Sequence, residues 1–121
     1  MHPIFPNVGL SILWTGHSTC LIQIGSKIFL ADPIFTNTAG MISKRRIEPG
    51  IYPASLTKLD FVLISHLHFD HLSYGSISML PLNAVSNSVL LLPPGGIAYT
   101  PRFGFLNYRE MNPWILSSAF W

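Results

Sequence analysis

Four side chains within six positions carry the strongest chemical signal in this sequence: His66, His68, Asp70 and His71, in the run Ile-Ser-His-Leu-His-Phe-Asp-His-Leu-Ser over residues 64–73. In an extended backbone, residues two apart project to the same side, so His66 and His68 can share one metal ion. Asp70 and His71 are adjacent and cannot both follow that alternation. A chain that turns after His68 frees them to address a second ion beside the first. Three imidazoles and a carboxylate suit zinc, and also iron or manganese, better than calcium or magnesium, which take all-oxygen shells. The plain alternative is a surface loop that happens to hold histidines, the usual reading for a lone one. Three of the chain's five histidines fall inside this stretch with an aspartate among them, which favours a metal site.

The elements that must position these groups are short and apolar. Residues 61–64 (Phe-Val-Leu-Ile) have the length and composition of a buried strand emptying straight into His66. Upstream, residues 8–14, 19–24 and 27–31 read as three strands of an antiparallel meander, with Gly25-Ser26 as a tight hairpin turn between the last two. Between the first two strands, Thr15-Gly16-His17-Ser18 presents a histidine on a turn, and Asp32-Pro33 ends the third strand. A turn histidine is more often solvated than ligating, and an aspartate before proline is often only a turn former. Strand-end loops are nevertheless where a scaffold places its working residues. His17 and Asp32 are therefore candidates for positions behind the ligands, not for the ligands themselves.

Residues 35–58 show no sustained periodicity and read as one long loop carrying the basic cluster Lys44-Arg45-Arg46. Arginine's planar fork suits a phosphate ester, which makes Lys44, Arg45 and Arg46 candidate substrate contacts. A solvated charged loop explains the same cluster slightly better. Beyond the histidines, residues 74–82 suggest a short helix stopped by Pro81, residues 89–92 a strand, residues 97–103 a weak helix broken by Pro101, and residues 106–110 a further strand. The order describes an α/β layered domain.

A chain of 121 residues with 49% hydrophobic and 10% charged residues, and a mean hydropathy of +0.41, has more apolar surface than a small domain can cover. Self-association or aggregation of the isolated chain is expected. No apolar run reaches the ~18 to 20 residues of a spanning helix, so no transmembrane segment is expected, although the long loop leaves room for peripheral membrane contact. The first residues lack a basic n-region and a cleavage site, so cytoplasmic localisation is the expectation. A single cysteine, Cys20, sits in an apolar alternation and reads as a buried thiol. A net charge of +2 is too small to imply a nucleic-acid partner.

Together these residues resemble the metallo-β-lactamase superfamily. His66-Leu67-His68-Phe69-Asp70-His71 matches its HxHxDH signature, directly after a strand ending Leu-Ile-Ser. Trp14-Thr-Gly-His-Ser-Thr, Ala31-Asp32-Pro33-Ile34-Phe35, Lys44-Arg45-Arg46 and Leu92-Pro93-Pro94-Gly95 resemble, more narrowly, the branch of N-acyl-phosphatidylethanolamine-hydrolysing phospholipase D and the related ascorbate-phosphate lactonases. The resemblance implies an αββα sandwich of which residues 1–121 form one partial domain, the N-terminal half, with an antiparallel-rich sheet and short helices. It implies a two-zinc site with His66 and His68 on the first metal and Asp70 and His71 on the second. The implied reaction is hydrolysis of a small-molecule or lipid phosphodiester, phospholipase D-like, by a metal-activated water that Asp70 orients; a lactonase is the lesser alternative. Family members carry two more histidines and a bridging aspartate further along. Here no histidine follows His71 and no aspartate follows Asp70. A catalytically incompetent remnant, or a metal-binding fragment that another chain completes, is the rival reading.

Overall fold

The computed structural model describes residues 9–16, 18–35, 38–39, 43–44, 51–65, 67 and 73–112, with 38–39 and 43–44 described as backbone. Alternating apolar residues build three consecutive strands, β1 (Leu10–Gly16), β2 (Thr19–Ile24) and β3 (Lys27–Ala31), joined as an antiparallel meander. Ile24 pairs with Lys27 across a two-residue turn, and Gly25 takes φ +57°, the positive φ that tight hairpins place on glycine. The meander, the hairpin and the strand limits at 19–24 and 27–31 are those the sequence suggests. The first strand starts two residues later and runs to Gly16.

Two short strands follow, β4 (Thr38–Ala39) and β5 (Ser43–Lys44), paired with each other. The chain then makes a 3-10 turn at Pro53–Ser55 and enters β6 (Phe61–Leu63). Beyond it come helix α1 (Tyr74–Ser78), helix α2 (Leu82–Val85), β7 (Val89–Leu92), a 3-10 turn at Gly96–Tyr99 and β8 (Asn107–Glu110). The six longer strands form one sheet in the order β1-β2-β3-β6-β7-β8. Its first half is antiparallel as expected, and its second half is parallel throughout, β3 to β6, β6 to β7 and β7 to β8. The cause lies in the connections: each of the last three strands returns by a crossover through helical or loop segments, which parallel pairing requires. The sheet is mixed.

One face of the sheet carries the core. Leu21, Ile28, Leu30, Val62, Leu90 and Leu92 line it, and Ile77, Leu80, Ala84 and Val85 of the two helices close over it. Full burial of each large side chain contributes about 1.5–3 kcal/mol. The long segment read as a bare loop contributes to this core as well, through Ile51, Leu56 and Leu59, all nearly inaccessible. Their irregular spacing follows neither a strand nor a helix period, which hid them in the sequence. Helix α1 starts where expected because Ser73 caps it, its side chain accepting from the Ser76 amide. It ends at Ser78, shorter than the expected 74–82, and Pro81 precedes α2, which is too short to show a periodicity. Cys20 is half-buried rather than buried, on the face of the sheet opposite the core.

Candidate functional site

Because β1, β3, β6, β7 and β8 all point the same way, their C-terminal ends share one edge of the sheet with the start of β2. That edge gathers the turn after Gly16, Thr19, Asp32, the segment after Leu63, and the loop after Leu92. Crevices beyond the carboxyl ends of parallel strands are where open α/β sheets receive ligands. The topology therefore brings the turn that carries His17, the aspartate, and the root of the histidine loop to a common edge although they span some fifty residues of chain.

Asp32 is the most constrained residue at this edge. Its φ of +46° is left-handed, it is buried, and proline follows it. Left-handed backbone on a non-glycine residue costs of order 1–3 kcal/mol and persists only where the surroundings over-determine it. They do so here. The Asp32 amide donates to the Leu63 carbonyl at 2.8 Å, and its own carbonyl accepts from the Thr19 hydroxyl at 2.7 Å. Its carboxylate accepts from the Ser65 amide through Oδ1 at 2.8 Å and from the Ser65 hydroxyl through Oδ2 at 2.7 Å. Ser65 is the residue immediately before His66, so a buried carboxylate grips the root of the histidine loop with a two-pronged hold.

Fully buried Thr19 supports this arrangement from behind, donating to Asp32 and accepting from the Ile34 amide at 3.0 Å. A step further, the Phe35 amide donates to the Ser76 hydroxyl of α1 at 2.8 Å, tying the segment after Asp32 to the helix that follows the histidine loop. That helix is held again on its outer side, where the Tyr74 hydroxyl donates to the Tyr99 carbonyl and its ring lies 6.0 Å from Phe103. Gly96 completes the seat: a Cβ there would stand 2.8 Å from Leu92 Cβ and 3.5 Å from Leu67 Cδ2, so only glycine lets the loop after β7 approach so closely. Leu67, the described residue between two of the candidate ligands in sequence, sits against this glycine.

β1 ends in a register shift between Trp14 and Gly16, with Gly16 at φ +114°. Bulges of this kind re-aim side chains beside functional sites. The expectations at His17, His66, His68, Asp70, His71, Arg45 and Arg46 lie outside the described residues, as does the side chain of Lys44. Asp32 is described, with its carboxylate on Ser65, the residue before His66. Sequence reasoning missed Thr19, Ser65 and Gly96. Ser65 and Thr19 carried no pattern of their own, whereas Gly96 stood in a visible Pro-Pro-Gly-Gly punctuation after a strand.

A family profile for the β-lactamase superfamily domain matches residues 11–111, spanning the meander, the histidine loop and the last strand. The chain belongs to the metallo-β-lactamase superfamily. Within that superfamily it is 33% identical over 76 residues to an N-acyl-phosphatidylethanolamine-hydrolysing phospholipase D of Caenorhabditis elegans, a match covering 60% of this chain and 21% of that one. It is 39% identical over 62 residues to a metal-dependent hydrolase of Thermodesulfovibrio yellowstonii, covering 50% of this chain and 21% of the relative. Its fold is similar to that of the isothiocyanate hydrolase from Delia radicum gut bacteria, with a TM-score of 0.64 at 20% identity over 83% of this chain and 41% of that one. The chain spans about a quarter or less of the length of the curated relatives it matches. No helix among the described residues is long and apolar enough to cross a membrane.

Proposed function

We propose that this chain carries the metal-binding loop of a metal-dependent hydrolase whose substrate is a phosphodiester, with zinc as the metal and His66, His68, Asp70 and His71 as the ligands it contributes. The observation that carries this reading is the hold of Asp32 on Ser65, a strained and fully hydrogen-bonded device that anchors the residue before the first histidine. Strain kept at a strand end belongs with function rather than with packing. The donor set fits the metal: three neutral imidazoles and a carboxylate match zinc, and would also accept iron or manganese. The names of a phospholipase D and of a metal-dependent hydrolase among the relatives support the same direction.

When bound, zinc supplies an ionised water at neutral pH and polarises the ester. The chain's own residues do the rest. His66 and His68, two positions apart, would hold one ion, Asp70 and His71 a second, and Asp70 would also be the group to orient a water and hold its proton. Asp32, through Ser65, fixes where that backbone leaves the sheet. Lys44, Arg45 and Arg46 offer a charge-assisted contact to a phosphate, of a small molecule or of a lipid head group met at a membrane surface. Lactone hydrolysis uses the same water and the same ligands and is the lesser alternative.

A second reading is favoured by one sequence observation, that no histidine or aspartate follows Asp70 and His71. Two protein ligands for the first ion fall short of the three or four that zinc sites hold. Residues 1–121 then supply half of a metal site whose remaining ligands lie outside them, and self-association follows from the apolar surface left open. Zinc titration of the purified chain, followed by metal analysis, separates the readings. Weak, substoichiometric zinc that disappears in a His66→Ala/His68→Ala variant is expected; zinc uptake identical in that variant rejects the loop as the binding site. Hydrolysis of a chromogenic phosphodiester by the zinc-loaded chain marks a working enzyme, and its absence with zinc bound marks a half-site.

A further inference from the structure

The 3-10 turn at Gly96–Tyr99 is four residues long, too short to hold itself, and the chain fastens it at three places. At its start, Glu110 Oε2 accepts from the Ile97 amide at 3.0 Å. That amide lies in the first turn, where a helix has no partner of its own to give a donor. Ile97 and Glu110 are both exposed, so burial does not force the bond, yet a carboxylate thirteen positions along the chain makes it. Glu110 is itself fixed: it pairs with Leu92 at the end of β7, and the Met111 amide donates to the Leu92 carbonyl at 2.7 Å. On its inner side, Gly96 sits against Leu92 and Leu67. At its end, the Tyr99 carbonyl accepts from the Tyr74 hydroxyl.

Leu67 precedes, and Tyr74 follows, the candidate ligands His68, Asp70 and His71 in sequence. One short turn therefore meets the chain on either side of them. We propose that Glu110 is a positioning residue for the metal-binding segment: by fixing Ile97 it makes the turn at Gly96–Tyr99 a strap between Leu67 and Tyr74. The proposal rests on the hydrolase reading for its metal, and it gives the last acidic residue of the chain a role other than that of a ligand. It is separate from the hold of Asp32, which acts on Ser65 from the end of β3, whereas Glu110 acts from the end of β8 on the turn after β7. A strap works only when both ends are fastened. Glu110 and Tyr74, which bind different residues of the turn, then act together rather than independently.

Amide exchange and zinc titration of the full 121-residue chain, with Glu110→Ala, Glu110→Gln, Tyr74→Phe and the Glu110→Ala/Tyr74→Phe pair, are the test. Without zinc, Glu110→Ala is expected to speed exchange across α1 by about three- to tenfold, the loss of one charge-assisted hydrogen bond carried through the strap, while exchange in β2 stays as in wild type. Zinc affinity is expected to fall by about the same factor in Glu110→Ala and in Tyr74→Phe, and no further in the pair, since one open end already frees the strap. Glu110→Gln keeps an acceptor oxygen and restores both readings. Unchanged α1 exchange in Glu110→Ala, unchanged zinc affinity, losses that multiply in the pair, or a Gln variant that behaves as Ala each overturns the proposal. Melting shows whether the variants fold. Should Glu110→Ala not fold, Tyr74→Phe, which removes one hydroxyl, decides: faster exchange of the Ile97 amide supports the strap, and unchanged exchange there overturns it. Zinc uptake indifferent to His66→Ala/His68→Ala rejects the metal reading instead, and the exchange measurements, which need no metal, then uphold or overturn the strap by themselves.

Discussion

Asp32 is the residue at which backbone strain, burial and the histidine loop meet. All of its polar groups are engaged, the amide with Leu63, the carbonyl with Thr19 and the carboxylate with both donors of Ser65. Asp32→Ala leaves the Ser65 amide and the left-handed backbone without support and is expected to cost at least about 2 kcal/mol. It should also weaken zinc binding by about 10–100-fold, the usual effect of removing a group that orients a ligand-bearing segment. Asparagine tolerates left-handed backbone and keeps one acceptor, so Asp32→Asn should recover most of both losses. Chemical denaturation and zinc titration on the three proteins check this, and a loss of stability with unaltered zinc affinity would confine Asp32 to a folding role. Ser88 makes the opposite case. Its hydroxyl is fully buried and has no hydrogen-bond partner among the described residues. Ser88→Ala removes an unsatisfied polar group and is expected to stabilise the chain by up to about 1 kcal/mol, read as a raised denaturation midpoint at unchanged slope.

At the scale of elements, the parallel half of the sheet decides where chemistry can occur. β3, β6 and β7 release their chains at one edge, where short contacts between consecutive loops hold Ser65 and Leu67. Gly96 is the tightest of them, since a methyl group there meets Leu92 at 2.8 Å, a separation real Cβ atoms do not adopt. Gly96→Ala must push the loop after β7 away from the strand end, an overpacking worth about 1–3 kcal/mol. The expected result is a lower melting temperature together with weaker zinc binding, because Leu67 of the histidine loop packs beside the same position. A variant melting at the wild-type temperature would show that the loop yields freely and that the seat is soft. Helices α1 and α2 are too short to hold themselves together and owe their stability to the apolar face they cover.

For the molecule as a whole, the face of the sheet opposite the core is covered at Phe61 and Leu91 and exposed along β1. Leu30, fully inaccessible, belongs to the core face, while Ile12, mostly exposed, belongs to the other. Leu30→Ala should destabilise the chain by about 2–5 kcal/mol through lost transfer energy and a residual cavity. Ile12→Ala in dilute solution should change stability by less than about 0.5 kcal/mol, as exposed substitutions do. Denaturant melts at low concentration measure both, and an Ile12→Ala cost approaching that of Leu30→Ala would mean that the outer face is covered at β1 as well. The apolar composition that stands out in the sequence is thus explained in part by a surface with its apolar side chains turned outward.

The sequence by itself determined the six strands of the main sheet, the hairpin at Gly25-Ser26, the short helix beginning at Tyr74 and the cluster of metal-binding residue types after a buried strand. These are local: alternation, turn chemistry and ligand spacing act between residues a few positions apart. It also marked Asp32, because an aspartate at a strand end is a visible feature, but not what Asp32 does. Only the tertiary structure decided that its carboxylate reaches Ser65, thirty-three positions along the chain, that β6, β7 and β8 join in parallel, that Ile51, Leu56 and Leu59 enter the core, and that β1 is the outermost strand among the described residues. Each of these depends on which strands become neighbours, and neighbourhood is set by crossovers and by burial summed over the whole sheet, quantities that no short window of residues contains.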